Sequence, residues 1–440
     1  MMLRSSSSVR MVALSVLLLA LLLQGCGRAV HDPAGESNDP SVNHETPSDP
    51  GGEAFAVDKA TYKPEDTDPQ IAEAQMAFAF DLFREISGAE PGDNHLLSPV
   101  SIATALAMTV GGANGETRDE MLRMLYLEGL SDDQRNKGHK VQLDLLRHSG
   151  EEARVLIANS LWGNEDVTFK EPFLQTVKSS FDAQLESLDM GSPEAPDTIN
   201  AWVREHTNER IDGIVEPPLD PDTLLYLINA VYLDANWAYP FDEEATTRRP
   251  FTGSDGQTAD VEMMHMNHQL DHLQADGFQA VRLPYEGHLL SMYVFLPDET
   301  LGLSGMMEQL EPAAWKSWLD QFEPSLGDLR LPRFAVEDEF SLIEPLRALG
   351  MNAAFERAEA DFSLLSDLPV NVYVHEARHK AMIEVTEKGT IAAAVTSIGM
   401  MPTSAPSDSF EMEVNRPFFY AIVDERTDSI LFMGTVGSIQ

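Results

Sequence analysis

Apolar residues recur along this chain with two periods, and the change from one to the other divides it. Ala72, Met76, Phe80 and Phe83 fall at helical spacing, with Ile86 following, which gives one apolar face. Ser98 followed by Pro99 reads as a helix start: an N-cap hydroxyl, then a proline whose missing N–H costs nothing there. Thr117 and Glu120 read as a capping box ahead of Met121, Leu122 and Leu125. Ile199, Trp202, Val203 and His206 mark a further helix. Strand-like runs lie at 155–162, 224–233, 289–296, 329–336 and 370–386, and from Phe410 to the C-terminus. Residues 340–349 read as a helix stopped by Gly350, although Pro345 argues for a start later than Phe340. Helices dominate the first third and strands the last, without an internal repeat. The pattern predicts an α+β fold rather than a βαβ alternation.

One stretch suits neither period. From Glu387 to Ser404 the chain reads Glu-Lys-Gly-Thr-Ile-Ala-Ala-Ala-Val-Thr-Ser-Ile-Gly-Met-Met-Pro-Thr-Ser. Its uncharged small residues suit the middle of a sheet, where an unpaired charge would be costly. Yet Gly389 and Pro402 bound it as they would an exposed loop. A segment suited to both places predicts a conformational switch. An Ala-rich linker or an ordinary strand is the competing reading.

Bulk properties narrow the setting. A chain of 440 residues, 43% of them hydrophobic, can bury one large core or two modest ones. Lysine plus arginine total 30 against 72 acidic residues, a net charge of −42. Such a surface repels nucleic acid and anionic lipid head groups. Arg4 and Arg10 precede an apolar run at 11–23 that is too short for a comfortable membrane span and right for a signal peptide. It ends Leu23-Gln24-Gly25-Cys26, which resembles the bacterial lipobox, with Gln24 less usual at its position. Lipidation of Cys26 is implied, and loss of residues 1–25 takes the net charge to −44, because Arg4 and Arg10 are the two charges removed. A plain secretory signal is the alternative. Cys26 is the single cysteine, so no internal disulfide is possible. Residues 27–69 are rich in Pro, Gly, Ser, Asp, Glu and Asn and read as a disordered tether with a reach of roughly 35 Å. The expected domains are therefore a signal peptide at 1–25, a tether at 26–69 and a folded domain at 70–440.

Several motifs together point to a family. Asn94-His95-Leu96-Leu97-Ser98-Pro99-Val100-Ser101-Ile102-Ala103 resembles the start of the second helix of serpins, the serine-protease inhibitors. So does the run Leu227-Ile228-Asn229-Ala230-Val231-Tyr232-Leu233, followed by Trp237, Pro240-Phe241, Phe251 and Met263-Met264. His379-Lys380-Ala381 resembles the strand that feeds the serpin reactive loop, and Asn415-Arg416-Pro417-Phe418 and Leu431-Phe432-Met433-Gly434 resemble the C-terminal strands. The resemblance spans roughly residues 71–440. It implies a large central mixed β-sheet, further sheets, about eight to nine helices and an exposed reactive loop at about 387–410.

It also implies a mechanism, suicide inhibition. The loop is attacked as a substrate, an acyl-enzyme forms, and the cut segment enters the central sheet as a new strand. The hinge residues would be Glu387, Gly389, Thr390, Ala392, Ala393 and Ala394. Those turning inward, Thr390, Ala392, Ala394 and Thr396, are small and uncharged; Ile391 departs from the glutamate common there, and Val395 is a milder departure. Counting from Glu387 puts the scissile bond at Thr403–Ser404, with Met400–Met401 as the alternative. Ser98, Ser101, Asn229 and His379 match the polar shutter beneath the main sheet.

The expected partner is a serine protease with an apolar or small-residue pocket, whether elastase-, chymotrypsin- or subtilisin-like, since no Arg or Lys lies between Gly389 and Val414. The protein is expected as a monomer and not as an enzyme, without cofactor or nucleic acid. Its expected place is extracytoplasmic: a bacterial cell-envelope lipoprotein at the outer membrane or cell surface, or secreted. A non-inhibitory serpin-fold binding protein is the alternative function. No Gly-x-Ser-x-Gly, His-Glu-x-x-His or phosphate loop occurs. His265, His268 and His272 have spacings that would share a helical face, but the resemblance puts them in a surface turn, and no metal site is expected.

Overall fold

Asp68 opens the first helix: its carboxylate accepts the N–H of Gln70, and Pro69 takes the first helical position. The computed structural model describes residues 59–150, 153–367, 372–390 and 409–439. In chain order these form α1 (Pro69–Ala89), β1 (His95–Leu97), α2 (Pro99–Val110), α3 (Gly115–Met124), α4 (Asp132–Arg147), β2 (Ala153–Asn164), α5 (Glu171–Ser180), β3 (Gln184–Leu188) and α6 (Ala195–His206). Then come β4 (Leu225–Asn236), β5 (Thr247–Thr252), β6 (Thr258–Gln274), β7 (Phe278–Pro284), β8 (Leu290–Pro297), α7 (Gly302–Glu308), α8 (Pro312–Leu319), β9 (Glu323–Pro332) and β10 (Phe334–Ser341). The chain closes with α9 (Ile343–Ala348), β11 (Glu376–Val385), β12 (Gly389–Thr390), β13 (Ser409–Glu413), β14 (Phe418–Asp424) and β15 (Ser429–Val436). Residues 59–68, grouped above with the tether, include a 3-10 turn at Pro64–Asp66, and the Tyr62 N–H donates to Asp144 at 2.9 Å.

Among the described residues two sheets carry the fold, which is α+β as the periodicity predicts. The main sheet runs β3-β2-β4-β12-β11-β10, and below β12 the strands β4 and β11 pair directly and in parallel. The second runs β1-β15-β14-β8-β7-β6-β9-β13, with β5 on β6. Their facing sides share one apolar cluster, with Val231 and Ile383 from the first and Met292 and Tyr420 from the second. Every residue of α2 is buried, which an all-round apolar helix requires. On the other face of the main sheet, Ile199, Trp202 and Val203 of α6 bury against Ala158, Trp162 and Ile228.

Several local expectations change. The helix expected at 340–349 starts at Ile343, and Gly350 ends it with φ +100°. The run 329–336 is two strands in different sheets, parted at Arg333. Thr117 and Glu120 are not a capping box, because α3 already begins at Gly115. The Thr117 hydroxyl accepts the Asp361 N–H, and Glu120 caps the distant turn at Ala353–Phe355 through the N–H groups of Asn352 and Ala353. His265, His268 and His272 lie on β6, neither a helix nor a surface turn, so strand alternation sends His265 to one face and the other two to the opposite one. His268 stacks on Tyr239 and His272 on Phe410. Among the described residues no His, Cys, Asp or Glu cluster could hold a metal ion.

Candidate functional site

β4 and β11 form a parallel ladder from Tyr226–Glu376 to Val231–Ala381 and then part. At the fourth of its six rungs, the four residues singled out by the motifs meet. Asn229 and His379 are directly opposed, and α2 brings Ser98 and Ser101 beneath them. The Ser98 backbone N–H donates to His379 Nε2 at 3.2 Å. A backbone N–H can only donate, so Nε2 is the acceptor and the ring proton sits on Nδ1. Nδ1–H then donates to Asn229 Oδ1 at 2.5 Å. Asn229 Nδ2 donates to Ser101 Oγ at 2.6 Å and to Asn159 Oδ1 at 2.5 Å. Burial drives the His379 pKa down to about 3, so the ring is neutral at ordinary pH.

Two details differ from the sequence reading. Ser98 contributes its backbone and not its hydroxyl: Oγ makes no cap bond and has no partner among the described residues. Asn159 is a fifth member that the motifs missed. It sits on β2 opposite Asn229, and the signal was present as a polar residue inside an apolar strand run.

Higher up, where β4 and β11 diverge, β12 fills the gap. Gly389 pairs with Asn236 and Thr390 with Ala235 on one side, and Thr390 with Val385 on the other, both antiparallel. Gly389 must be glycine here, because a Cβ would lie 2.1 Å from the Ala235 carbonyl oxygen. The Thr390 side chain is fully buried, and its hydroxyl meets that of Tyr285 at 2.6 Å. Tyr285 lies flat against Trp237 with ring centroids 4.5 Å apart, and Trp237 Nε1–H donates to the Thr386 carbonyl. Glu387 is anchored beside them. Arg333 Nε–H donates to both carboxylate oxygens, at 2.8 and 2.7 Å, and Thr246 Oγ1–H donates at 2.5 Å. Burial alone would raise the Glu387 carboxyl, but the bonds from Arg333 and Thr246 outweigh it and hold the pKa below its usual range. Tyr285, Arg333 and Thr246 carried no signal in sequence, being more than fifty residues from the hinge.

The remaining assignments, Ala392, Ala393, Ala394, both scissile-bond alternatives (Thr403–Ser404 and Met400–Met401) and Cys26, lie outside the described residues.

The family profile described as Serpin (serine protease inhibitor) matches residues 73–439. This chain belongs to the serpin family. Among its relatives, a serpin-like protein of Thermococcus kodakarensis is 34% identical, over 97% of this chain and 98% of its own. Antithrombin-III of Mus musculus is 31% identical over 88% of this chain and 87% of its own. The crystal structure of tengpin, a thermophilic serpin in its native state, superposes with a TM-score of 0.79 at 31% identity, covering 87% of this chain and 97% of tengpin. The resemblance drawn from the motifs is thus family membership, and the serpin fold is shared along nearly the whole described domain.

Proposed function

We propose that this serpin is an inhibitory one, a suicide substrate of serine proteases that traps the acyl-enzyme by inserting its cleaved loop. The observation that carries the reading is β12. The hinge already pairs with both β4 and β11, so insertion needs only to continue a ladder that exists. The same register would place Ala392 between Leu233 and Ile383, Ala394 between Val231 and Ala381, and Thr396 between Asn229 and His379. All three are small or carry one hydroxyl, as passage between strands requires.

Insertion would replace the parallel β4–β11 ladder by two antiparallel ones, which are somewhat better per residue. About fifteen residues at 3.3 Å each would carry the attached protease roughly 50 Å. Around ten new ladder bonds at ~1 kcal/mol each, with burial, supply the work. A chain held out of that lower state is kept active by a barrier. The protein is therefore not an enzyme, and its partner is a protease with an apolar or small-residue pocket, met at Thr403–Ser404 or Met400–Met401. We place it outside the cytoplasm, held to a bacterial envelope by lipid on Cys26 and the tether. A mature N-terminus other than residue 26 contradicts the anchoring.

The test mixes the protein with elastase-, chymotrypsin- and subtilisin-like enzymes. A covalent adduct on a denaturing gel supports the reading, and sequencing of the released peptide locates the cut. Turnover of the loop with no adduct by any of them refutes it.

A further inference from the structure

The main sheet has a second place where a strand is missing. β2 pairs β4 from Ala153 to Gly163, but β3 pairs only its later part, Ser160 to Asn164. Over residues 155–159 the outer edge of β2 has no strand beside it among the described residues. In an antiparallel ladder alternate residues turn both N–H and C=O away from their partner, so this edge presents unpaired backbone donors and acceptors.

The edge opens on a cleft of about 630 Å³, within the size range of ligand sites, whose walls include Leu156, Ile157, Leu174, Lys178, Leu185 and Trp202. The four aliphatic side chains are only half-buried. At the floor, Asn159 is 5% exposed, and while its Oδ1 accepts from Asn229, its Nδ2 donates to nothing among the described residues. At the rim, Arg147 is paired with Asp182 at 2.7 Å, whereas Lys178 is exposed and makes no ion pair among the described residues. An unneutralised lysine beside an apolar cleft is notable where acids outnumber bases 72 to 30.

An acyl chain would cover the leucines but leave the strand edge and Asn159 desolvated without partners, which is costly. An extended peptide answers both. We propose that this cleft binds an extended peptide from another protein. It would add as a strand along residues 155–159 of β2, with apolar side chains against Leu174, Leu185 and Trp202 and a carboxylate toward Lys178. Five residues span about 16 Å, the length of the free edge. The site lies across β4 from the slot that holds the hinge, so the proposal does not rest on the inhibitory reading.

The experiment titrates the full chain into dye-labelled Val-Leu-Val-Leu-Glu and follows polarisation. Two further peptides carry backbone N-methyl groups, one at odd and one at even positions. Saturable binding is expected, lost for one methylated peptide and kept for the other, because only one phase of the peptide faces β2. Lys178→Glu should weaken binding about fivefold, and Leu185→Arg should abolish it with the fold intact by circular dichroism. Absence of saturable binding, equal behaviour of the two methylated peptides, or unchanged affinity in Lys178→Glu overturns the proposal.

Discussion

If the loop inserts as proposed, replacing Thr390 by arginine should turn this serpin from an inhibitor into a substrate. Thr390 has no exposed surface and sits between Ala235 and Val385, and among the described residues the one hydrogen bond of its side chain is to the Tyr285 hydroxyl. A guanidinium there would lose its water and gain one phenol. The carboxylate nearest in sequence, Glu387, is already committed to Arg333 and Thr246. Burying such a charge without a partner costs several kcal/mol, so the hinge would leave its seat in the intact protein. The proposed scissile bond is more than ten residues away, so attack and acylation should proceed nearly unchanged. Insertion must then push the arginine through the seat, and an added barrier of ~3 kcal/mol slows it by about two orders of magnitude. Deacylation wins that race, and the protease leaves active with the loop cut. The assay counts inhibitor molecules consumed per protease trapped, with Thr390→Val as the control that loses the hydroxyl contact but adds no charge. Equal trapping by Thr390→Arg and the parent would refute insertion through this seat.

Other outcomes follow from the same geometry. Nicking the loop near Thr403 should raise the melting temperature steeply, because the freed strand enters the sheet; an unchanged or lower value would favour the non-inhibitory reading. Trypsin-like proteases should form no adduct, since their buried carboxylate would go unpaired against Met or Thr. Efficient trapping of one would refute this account of the loop. Stability should fall with acidification below pH 6.5. His379 and His139 are held by burial at about 3 and about 4 in the folded state against an ordinary 6.5, so the unfolded chain takes up protons first. Each contributes up to ~1.4 kcal/mol per pH unit across pH 5–6.5. Asp234 and Asp428, whose carboxyls burial raises, act in the opposite sense nearer their own range. Urea titrations at several pH values that gave no such slope would contradict the buried neutral rings.

How far the sequence was legible depended on whether a signal was local. α1 and α2 were readable because an apolar face and a Ser-Pro start are written within a few residues. β4 was readable as an apolar run. Glu120 misled because its side chain caps a turn more than two hundred residues on, and capping chemistry looks the same for a near partner and a far one. The three histidines were expected in a surface turn from the resemblance and instead lie on β6, where spacings of three and four do not share one face. The run 329–336 held two strands because Arg333 turns the chain from one sheet to the other without glycine or proline beyond Pro332 to mark it. The seated hinge was invisible in sequence. Whether Gly389 and Thr390 lie in a sheet depends on how far β4 and β11 part, which is a property of two distant strands.

Under the proposed insertion, the shutter offers a way for a strand to pass without leaving buried polar groups orphaned. Asn229 keeps its bond to Asn159 on the neighbouring β2, while His379 belongs to β11. Parting β4 from β11 breaks the bond from His379 Nδ1–H to Asn229 Oδ1, and because α2 holds both strands, His379 through the Ser98 N–H and Asn229 through Ser101, it strains one of those two bonds as well. It leaves a donor on one strand and an acceptor on the other, each buried and each costly if unmet. The register set by Gly389 and Thr390 would bring Thr396 between them. A hydroxyl both accepts and donates, so Thr396 can take the proton of His379 and give its own to Asn229. Apolar residues would serve at 392 and 394, where the flanking side chains are Leu233, Ile383, Val231 and Ala381. At 396 an alanine would fit the space but leave both polar groups unpaired. A threonine at that one place, among alanines, is what the severed bond calls for.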